Sequence, residues 1–368
     1  MLYFKAKLIA LKRRLHLLFF NDFNPYPKAP DKLYLSPSDI INNYENSSQK
    51  LKYKSSESDL AQWKNTTRLK LKKILSINKE LYCKEVISNK IIMKKGYSRK
   101  RIYLEFSKYR HAPIDIIVNE NIKKYKGIIL CMQGTNSGAH LNLGEVKMPA
   151  DIFKVKNGSD IAIQAAKLGF IAISFERIGF GERRELKLNK RNFAPEIDFS
   201  FHSLLYGKTS LGETVSELSV LVKWLKNKYS NKYKIWLKGY SSAGTTAIAA
   251  AAIDKNIDGI AIGGCVGLSN DTILKRGGTG YNHLPDLLNW FDQDVMISLI
   301  SPRPCIIVSG VKDHIWPYKY AIKAIKVPKA VYKKENSEKN LSLIKAGGGH
   351  TYYPHLLWPE IIKVIEIK

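Results

Sequence analysis

The stretch at 237–251, LKGYSSAGTTAIAAA, holds two serines between glycines, after an apolar run and before a row of alanines. A serine hydroxyl is a poor nucleophile at neutral pH, so chemistry there needs a base to take its proton and a carboxylate to orient that base. Register separates the two candidates. With Ser241 as nucleophile the turn reads Gly239-Tyr240-Ser241-Ser242-Ala243, a G-x-S-x-G pattern whose last glycine is alanine, followed by Gly244. With Ser242, the aromatic Tyr240 would take the place of the first glycine and crowd the turn. Ser241 is the expected nucleophile, and the backbone N–H of Ser242 the expected oxyanion donor, because the residue after such a nucleophile opens a helix.

For a nucleophile on a turn of this kind the partners follow in the order acid, then base. Downstream lie His283, His314, His350 and His355. His350 stands in LIKAGGGHTYYP, where glycines after an apolar run let an imidazole reach across strand ends. His355 opens the last predicted helix and His314 neighbours the candidate acid. That acid is Asp313, in PCIIVSGVKDHIWP, just past a late apolar run, at the carboxyl edge where parallel sheets bind ligands. Asp286, Asp292 and Asp294, in a helix-like segment before that run, are the rivals.

These residues need elements to hold them. From about residue 82 the pattern is short and β-rich: KEVISNKIIM, RIYLEFSKY, PIDIIVNE, KGIILCMQG. Strands then alternate with helices: IAIQAAKLG before FIAISFE, TVSELSVLVKWLKNK before KIWLKG, AGTTAIAAAA before IDGIAIGG, then PCIIVSG. Alternation of this kind predicts an α/β fold, a mostly parallel sheet covered by helices on both faces. Residues 1–81 read as a helical extension with a Ser- and Lys-rich bridge and the helix LAQWKNTTRLKLKKILSI, and 82–368 as the catalytic domain.

With 45% hydrophobic residues in 368, a sizeable core is available. The net charge of +28 comes mainly from lysine spread through the chain, the pattern of a solvated surface. No zinc-finger spacing, RNA-binding motif or phosphate loop accompanies it, so nucleic acid is not an expected partner; an anionic membrane or acidic polymer fits the charge better. Cys83, Cys131, Cys265 and Cys305 show neither paired spacing nor metal-ligand spacing, so no disulfide framework and no metal site is expected, and a reducing, cytoplasmic compartment is. The opening MLYFKAKLIALKRRLHLLFF is interrupted by Lys5, Lys7, Lys12, Arg13 and Arg14, so it reads as an amphipathic helix that packs on the domain or lies on a membrane surface, not as a signal peptide.

Several stretches in order, ILCMQGTNSGAH, AAKLGFIAISFERIGFGERRE, YGKTSLGETVSELSVLVKWL, KGYSSAGTTAIAAAAID, ISPRPCIIVSGVKDHIWP and GGGHTYYP, resemble the α/β-hydrolase superfamily over about 125–360, within it the acetyl xylan esterase and dienelactone hydrolase-like branch. The resemblance implies Ser241, Asp313 and His350 as a triad with no cofactor, and an oxyanion loop at Gly134 and Thr135. Gln133 stands where that family has His, Glu176 where it often has Asp, and Ala243 where it has Gly, which predicts a slightly altered elbow. The implied activity is hydrolysis of short-acyl esters, acetyl above all, of a carbohydrate; the same triad also serves acyltransferases and thioesterases, and a basic, catalytically silent membrane or polyanion binder is a further alternative. Gln133 and Tyr240 are candidate substrate contacts. In KRGGTGYNHLPDLLNWFDQD, Tyr281, His283 and Trp290 are candidate sugar-facing groups of a cap, the alternative being a helix packed over the core.

Overall fold

The protein is described here by a computed structural model covering residues 2–19, 33, 36–44, 49–54, 56–92, 96–189, 196–276 and 280–366. It separates into two compact units, Met1–Ser48 and Gln49–Lys368. The first contains helices α1 (Leu2–Phe19) and α2 (Pro37–Tyr44).

The second unit opens with helix α3 (Leu60–Ile74), capped where the Asp59 carboxylate accepts the Gln62 amide. An antiparallel meander follows: β1 (Lys84–Ile92), β2 (Tyr97–Ser107) and β3 (Arg110–Asn119). Then come β4 (Ile128–Met132), α4 (Asp151–Lys156), α5 (Ile161–Lys167), β5 (Ile171–Phe175), α6 (Ile197–Leu205), α7 (Ser210–Lys228), β6 (Ile235–Tyr240) and α8 (Ser242–Ile253). The chain closes with β7 (Gly259–Gly263), α9 (Gln293–Ser298), β8 (Cys305–Gly310), α10 (Tyr318–Ala324), α11 (Lys326–Lys334), β9 (Leu341–Ala346) and α12 (Pro354–Glu366). The sheet has the order β1-β2-β3-β5-β4-β6-β7-β8-β9, parallel from β5 onward.

Strands β4 to β8 are buried along their whole length. Side chains alternate across a strand, so each strand feeds two cores. Leu130, Ile173, Leu237, Ile262 and Ile307 face one cluster, with α3, α7, α8 and α9 above them. Ile129, Ala172, Trp236, Ala261 and Ile306 face the other, under α5 and α12. Helix α3, grouped by sequence with residues 1–81, buries Trp63, Leu71 and Ile74 in the first cluster and so belongs to the compact unit that starts at Gln49. Cys131, Cys265 and Cys305 are buried free thiols and Cys83 is half-buried. Among the described residues no helix is long and apolar enough to cross a membrane.

Helix α8 is held at its far end by Arg303, whose guanidinium donates to the carbonyls of Ala251, Asp254 and Ile257 at 2.5, 2.9 and 2.6 Å. A cation at a helix C-terminus both satisfies orphan carbonyls and complements the dipole. Arg303→Met leaves those carbonyls without their donor. It is expected to lower unfolding stability by about 2–4 kcal/mol in urea titration, with the slope unchanged.

Candidate active site

The apolar strand β6 ends at Tyr240, and α8, built of small and aliphatic residues, begins at Ser242. Between them Ser241 adopts φ 55° and ψ −127°, a conformation that costs a non-glycine residue on the order of 1–3 kcal/mol. The surroundings enforce it. The Ser241 amide donates to the Gly263 carbonyl at 2.9 Å, and the Ser241 carbonyl accepts from the Gly244 amide at 2.8 Å. A Cβ on Gly239 would lie 2.5 Å from the Ala243 carbonyl oxygen, and one on Gly244 would lie 2.3 Å from Cys265 Sγ. Close approach is therefore required at Gly239 and Gly244, whereas Ala243, fully buried, fits with its methyl in place.

The loop after β4 presses on the same turn, since a Cβ on Gly134 would lie 2.7 Å from the Tyr240 carbonyl oxygen and 3.0 Å from Ser241 Cβ. Thr135 Oγ1 donates to Ser242 Oγ at 3.0 Å. The backbone amides of Ser242 and Thr135 meet no protein acceptor among the described residues, which leaves them free to receive an oxyanion beside Ser241.

From the far side of the sheet, β8 and β9 deliver the acid and the base. The His350 ring nitrogen Nδ1 lies 2.8 Å from Asp313 Oδ2, while Asp313 Oδ1 accepts the amides of Ile315 and Trp316, both at 2.8 Å. Burial works against the Asp313 charge, but the hydrogen bond and charge of His350 and the two amides outweigh it and hold the carboxyl below its usual range. With Nδ1–H donating to Asp313, Nε2 is the acceptor left for a serine proton. The imidazole packs 5.0 Å from the Tyr240 ring and 5.9 Å from the His314 ring, measured between centroids. The Ser241 hydroxyl makes no hydrogen bond among the described residues. The turn after β8 is laced to the His350 loop through Lys312 N–H to the Gly348 carbonyl at 3.0 Å. A Cβ on Gly310 would lie 2.5 Å from that same carbonyl oxygen.

The rival acids have other work. Asp286 binds Lys70 and Trp290, Asp292 binds Ser269, and Asp294 accepts the Val295 amide. The candidate substrate contacts divide. Gln133 is buried with its amide fully engaged, by Asn142 and the Ser159 carbonyl on one side and Asn136 and Tyr352 on the other, so it clasps the loop and has no polar capacity left for a ligand. Tyr240 is buried under His350. Tyr281 is buried with its hydroxyl 2.8 Å from Thr246 Oγ1. Trp290 lies under the Lys70 ammonium, 3.8 Å from the ring centroid, and packs against the segment that carries α3. His283 is exposed. Residues 277–279 of the expected cap lie outside the described residues.

Two charged residues matter more than their sequence positions suggested. Arg177, 2% exposed, follows β5, stacks between Phe180 and Tyr281 at 4.3 and 4.9 Å, and donates to Ser242 Oγ at 2.9 Å. No carboxylate pairs with it among the described residues. The available signal was a charge set directly after a buried strand at the sheet's carboxyl edge. Its neighbour Glu176 accepts the Ala139 amide at 3.0 and 2.9 Å and so anchors the loop that carries Gly134.

Burial pushes the Glu176 carboxyl up to about 7, with the Ala139 amide only partly opposing it. Between the ordinary glutamate range and pH 7 the folded chain thus holds a proton that the unfolded chain has released, so stability falls as pH rises through this window. Glu176→Gln keeps an acceptor for Ala139 without the charge. Its melting temperature relative to the parent is expected to rise from pH 5 to pH 8, by up to an equivalent of about 2–3 kcal/mol; parallel curves would refute this.

The putative hydrolase YtaP of Bacillus subtilis is 24% identical over 206 residues, 55% of this chain and 65% of that protein, so the match spans just under two thirds of the relative. The crystal structure of a putative acetyl xylan esterase from Bacteroides fragilis superposes with TM-score 0.69 at 17% identity, over 91% of this chain and 86% of the other. A glucuronoyl esterase from Teredinibacter turnerae superposes with TM-score 0.61 at 15% identity, over 96% and 97%. At such identities the likeness establishes a shared fold. The family match covers residues 28–335, from before α2 to the end of α11 and short of β9 and the His350 loop, and on that match together with the nine-stranded sheet the chain belongs to the Abhydrolase family of the α/β-hydrolase superfamily.

Proposed function

We propose that the chain is a serine ester hydrolase for short-acyl esters, acetyl above all, of a carbohydrate. The observation that carries the reading is the His350–Asp313 hydrogen bond at 2.8 Å, with the imidazole packed 5.0 Å from the ring of Tyr240, the residue that precedes Ser241 in the strained turn between β6 and α8. His350 Nε2 takes the proton of Ser241 Oγ as that oxygen bonds to the ester carbonyl carbon. The oxyanion is received by the amides of Ser242 and Thr135, and the buried Arg177 charge next to Ser242 favours it further, because a charge in a dry site is weakly screened. The protonated imidazole returns its proton to the leaving alcohol. Water then attacks the acyl-serine with His350 as base again, releasing the acid.

The carbohydrate class is supported by the named activities of the two structural relatives, a putative acetyl xylan esterase and a glucuronoyl esterase. The aromatic residues first expected at the mouth lend it nothing, since Tyr240 and Tyr281 are buried and Trp290 is turned to α3. A groove of about 860 Å³ lies between α5 and α12, lined by Gln164, Leu168 and Trp358, but no member of the triad lines it and the reaction is assigned to the elbow.

Ser241→Ala is expected to lower kcat/KM for p-nitrophenyl acetate by on the order of 10³-fold or more and to abolish labelling by a fluorophosphonate. Ser242→Ala keeps the amide donor but strands Arg177 and Thr135, so a loss on the order of tenfold is expected. The reverse ranking would move the nucleophile to Ser242.

Acyl length tests the substrate class. Rates are expected to fall from acetyl through butyryl to octanoyl esters of one alcohol, with acetate released from acetylated saccharides. A steady climb to octanoyl, following the roughly 0.8 kcal/mol per methylene of simple burial, would replace this reading with a lipase or thioesterase.

A further inference from the structure

Helix α1 belongs to the unit Met1–Ser48. Phe4, Leu8, Leu11, Leu15 and Leu18 recur at spacings of four, three, four and three, which puts them on one side of a helix with Phe19 beside them. All six are exposed, Phe4 and Leu18 by 74% and Phe19 by 80%. A stripe of this size left in water is unfavourable, and exposed apolar patches mark contact surfaces.

Charge says what covers it. Lys7 and Arg14, seven residues apart, run along one flank of the stripe, and Lys5 and Lys12, also seven apart, along the other. The helix contains no acidic residue. A second copy of the helix meeting this stripe would set both basic rows against basic rows with nothing to pair them. A polyanion without an apolar part would engage the cations and leave the leucines and phenylalanines wet. An anionic lipid surface satisfies both halves: the stripe enters the boundary between headgroups and acyl chains, while the flanking lysine and arginine stems reach back to the anionic headgroups.

We infer that α1 is an interfacial anchor that lies in the surface of an anionic membrane, with Phe4, Leu8, Leu11, Leu15 and Leu18 buried in it and Lys5, Lys7, Lys12 and Arg14 on its headgroups. The helix lies in the plane and does not span, and the net charge of +28 draws the whole chain to the same surface.

The test is cosedimentation of the full chain with vesicles of phosphatidylcholine alone and with about 30 mol% phosphatidylserine. Partitioning is expected on the anionic vesicles only, weakened at least about tenfold when salt rises from about 0.1 to 0.5 M. Each cation near such a surface contributes about fivefold, so Lys5→Glu/Lys7→Glu/Lys12→Glu/Arg14→Glu should lower partitioning by on the order of 10²- to 10³-fold. Leu8→Glu/Leu11→Glu/Leu15→Glu should abolish it, and both variants should keep the urea midpoint of the larger unit. Equal partitioning on neutral vesicles, or none on either, would overturn the inference. So would binding that survives charge reversal, or a lipid-free dimer that the triple leucine variant dissolves.

Discussion

The backbone of Ser241, held at φ 55° and ψ −127°, is the constraint on which the centre of the molecule depends. A residue stays there only when several elements meet too tightly to let it relax. The end of β6, the start of α8, the neighbouring β7 and the loop after β4 all converge on it, and each contact passes over a position where a side chain would collide, at Gly239, Gly244 and Gly134. The alanines of α8 follow from the same demand, because a helix emerging directly from the strand end must lie close to the sheet, and every residue of α8 is buried. The strain is supported from beneath by two continuous cores, one on each face of the sheet.

Around that turn, charge is placed in a water-poor environment and each group is neutralised differently. Asp313 receives two backbone amides and the imidazole, so it remains an anion able to hold one ring orientation. Arg177 has no carboxylate partner among the described residues and is held by two aromatic faces and a serine oxygen. Glu176 grips a loop amide at the cost of a raised proton affinity. Preorganised dipoles and charges of this kind do not need to reorient when charge develops at a reacting carbonyl, which is the physical advantage of a rigid site over a solvated one.

Much of the remaining charge is arranged by the acidic residues. Glu217 ties Arg183, and Asp115 holds Arg99 and Arg101 together across the meander. With 60 basic residues against 32 acidic ones, such pairing leaves a large basic surplus. The sequence spreads that surplus widely, and in α1 it lines both sides of an exposed apolar stripe.

The sequence by itself determined the alternation of strands and helices, the parallel sheet, the strand-to-helix turn at Ser241 and the glycine loop at His350, because these are written in short-range periodicity and in residues with unusual backbone freedom. It also paired His350 with Asp313 across 37 positions, since the order of elements in a parallel sheet dictates which loops share its carboxyl edge. Only the tertiary structure decided that α3 joins the main core, that Gln133, Tyr240 and Tyr281 are buried in internal contacts, that Trp290 faces α3, and that Arg177 and Glu176 brace the turn and its neighbouring loop. Each of those outcomes depends on which side chains meet across long separations, such as Arg177 with Ser242 or Lys70 with Trp290. Local pattern carries no record of such meetings, because burial and hydrogen bonding are settled between surfaces that exist only once the chain has closed on itself.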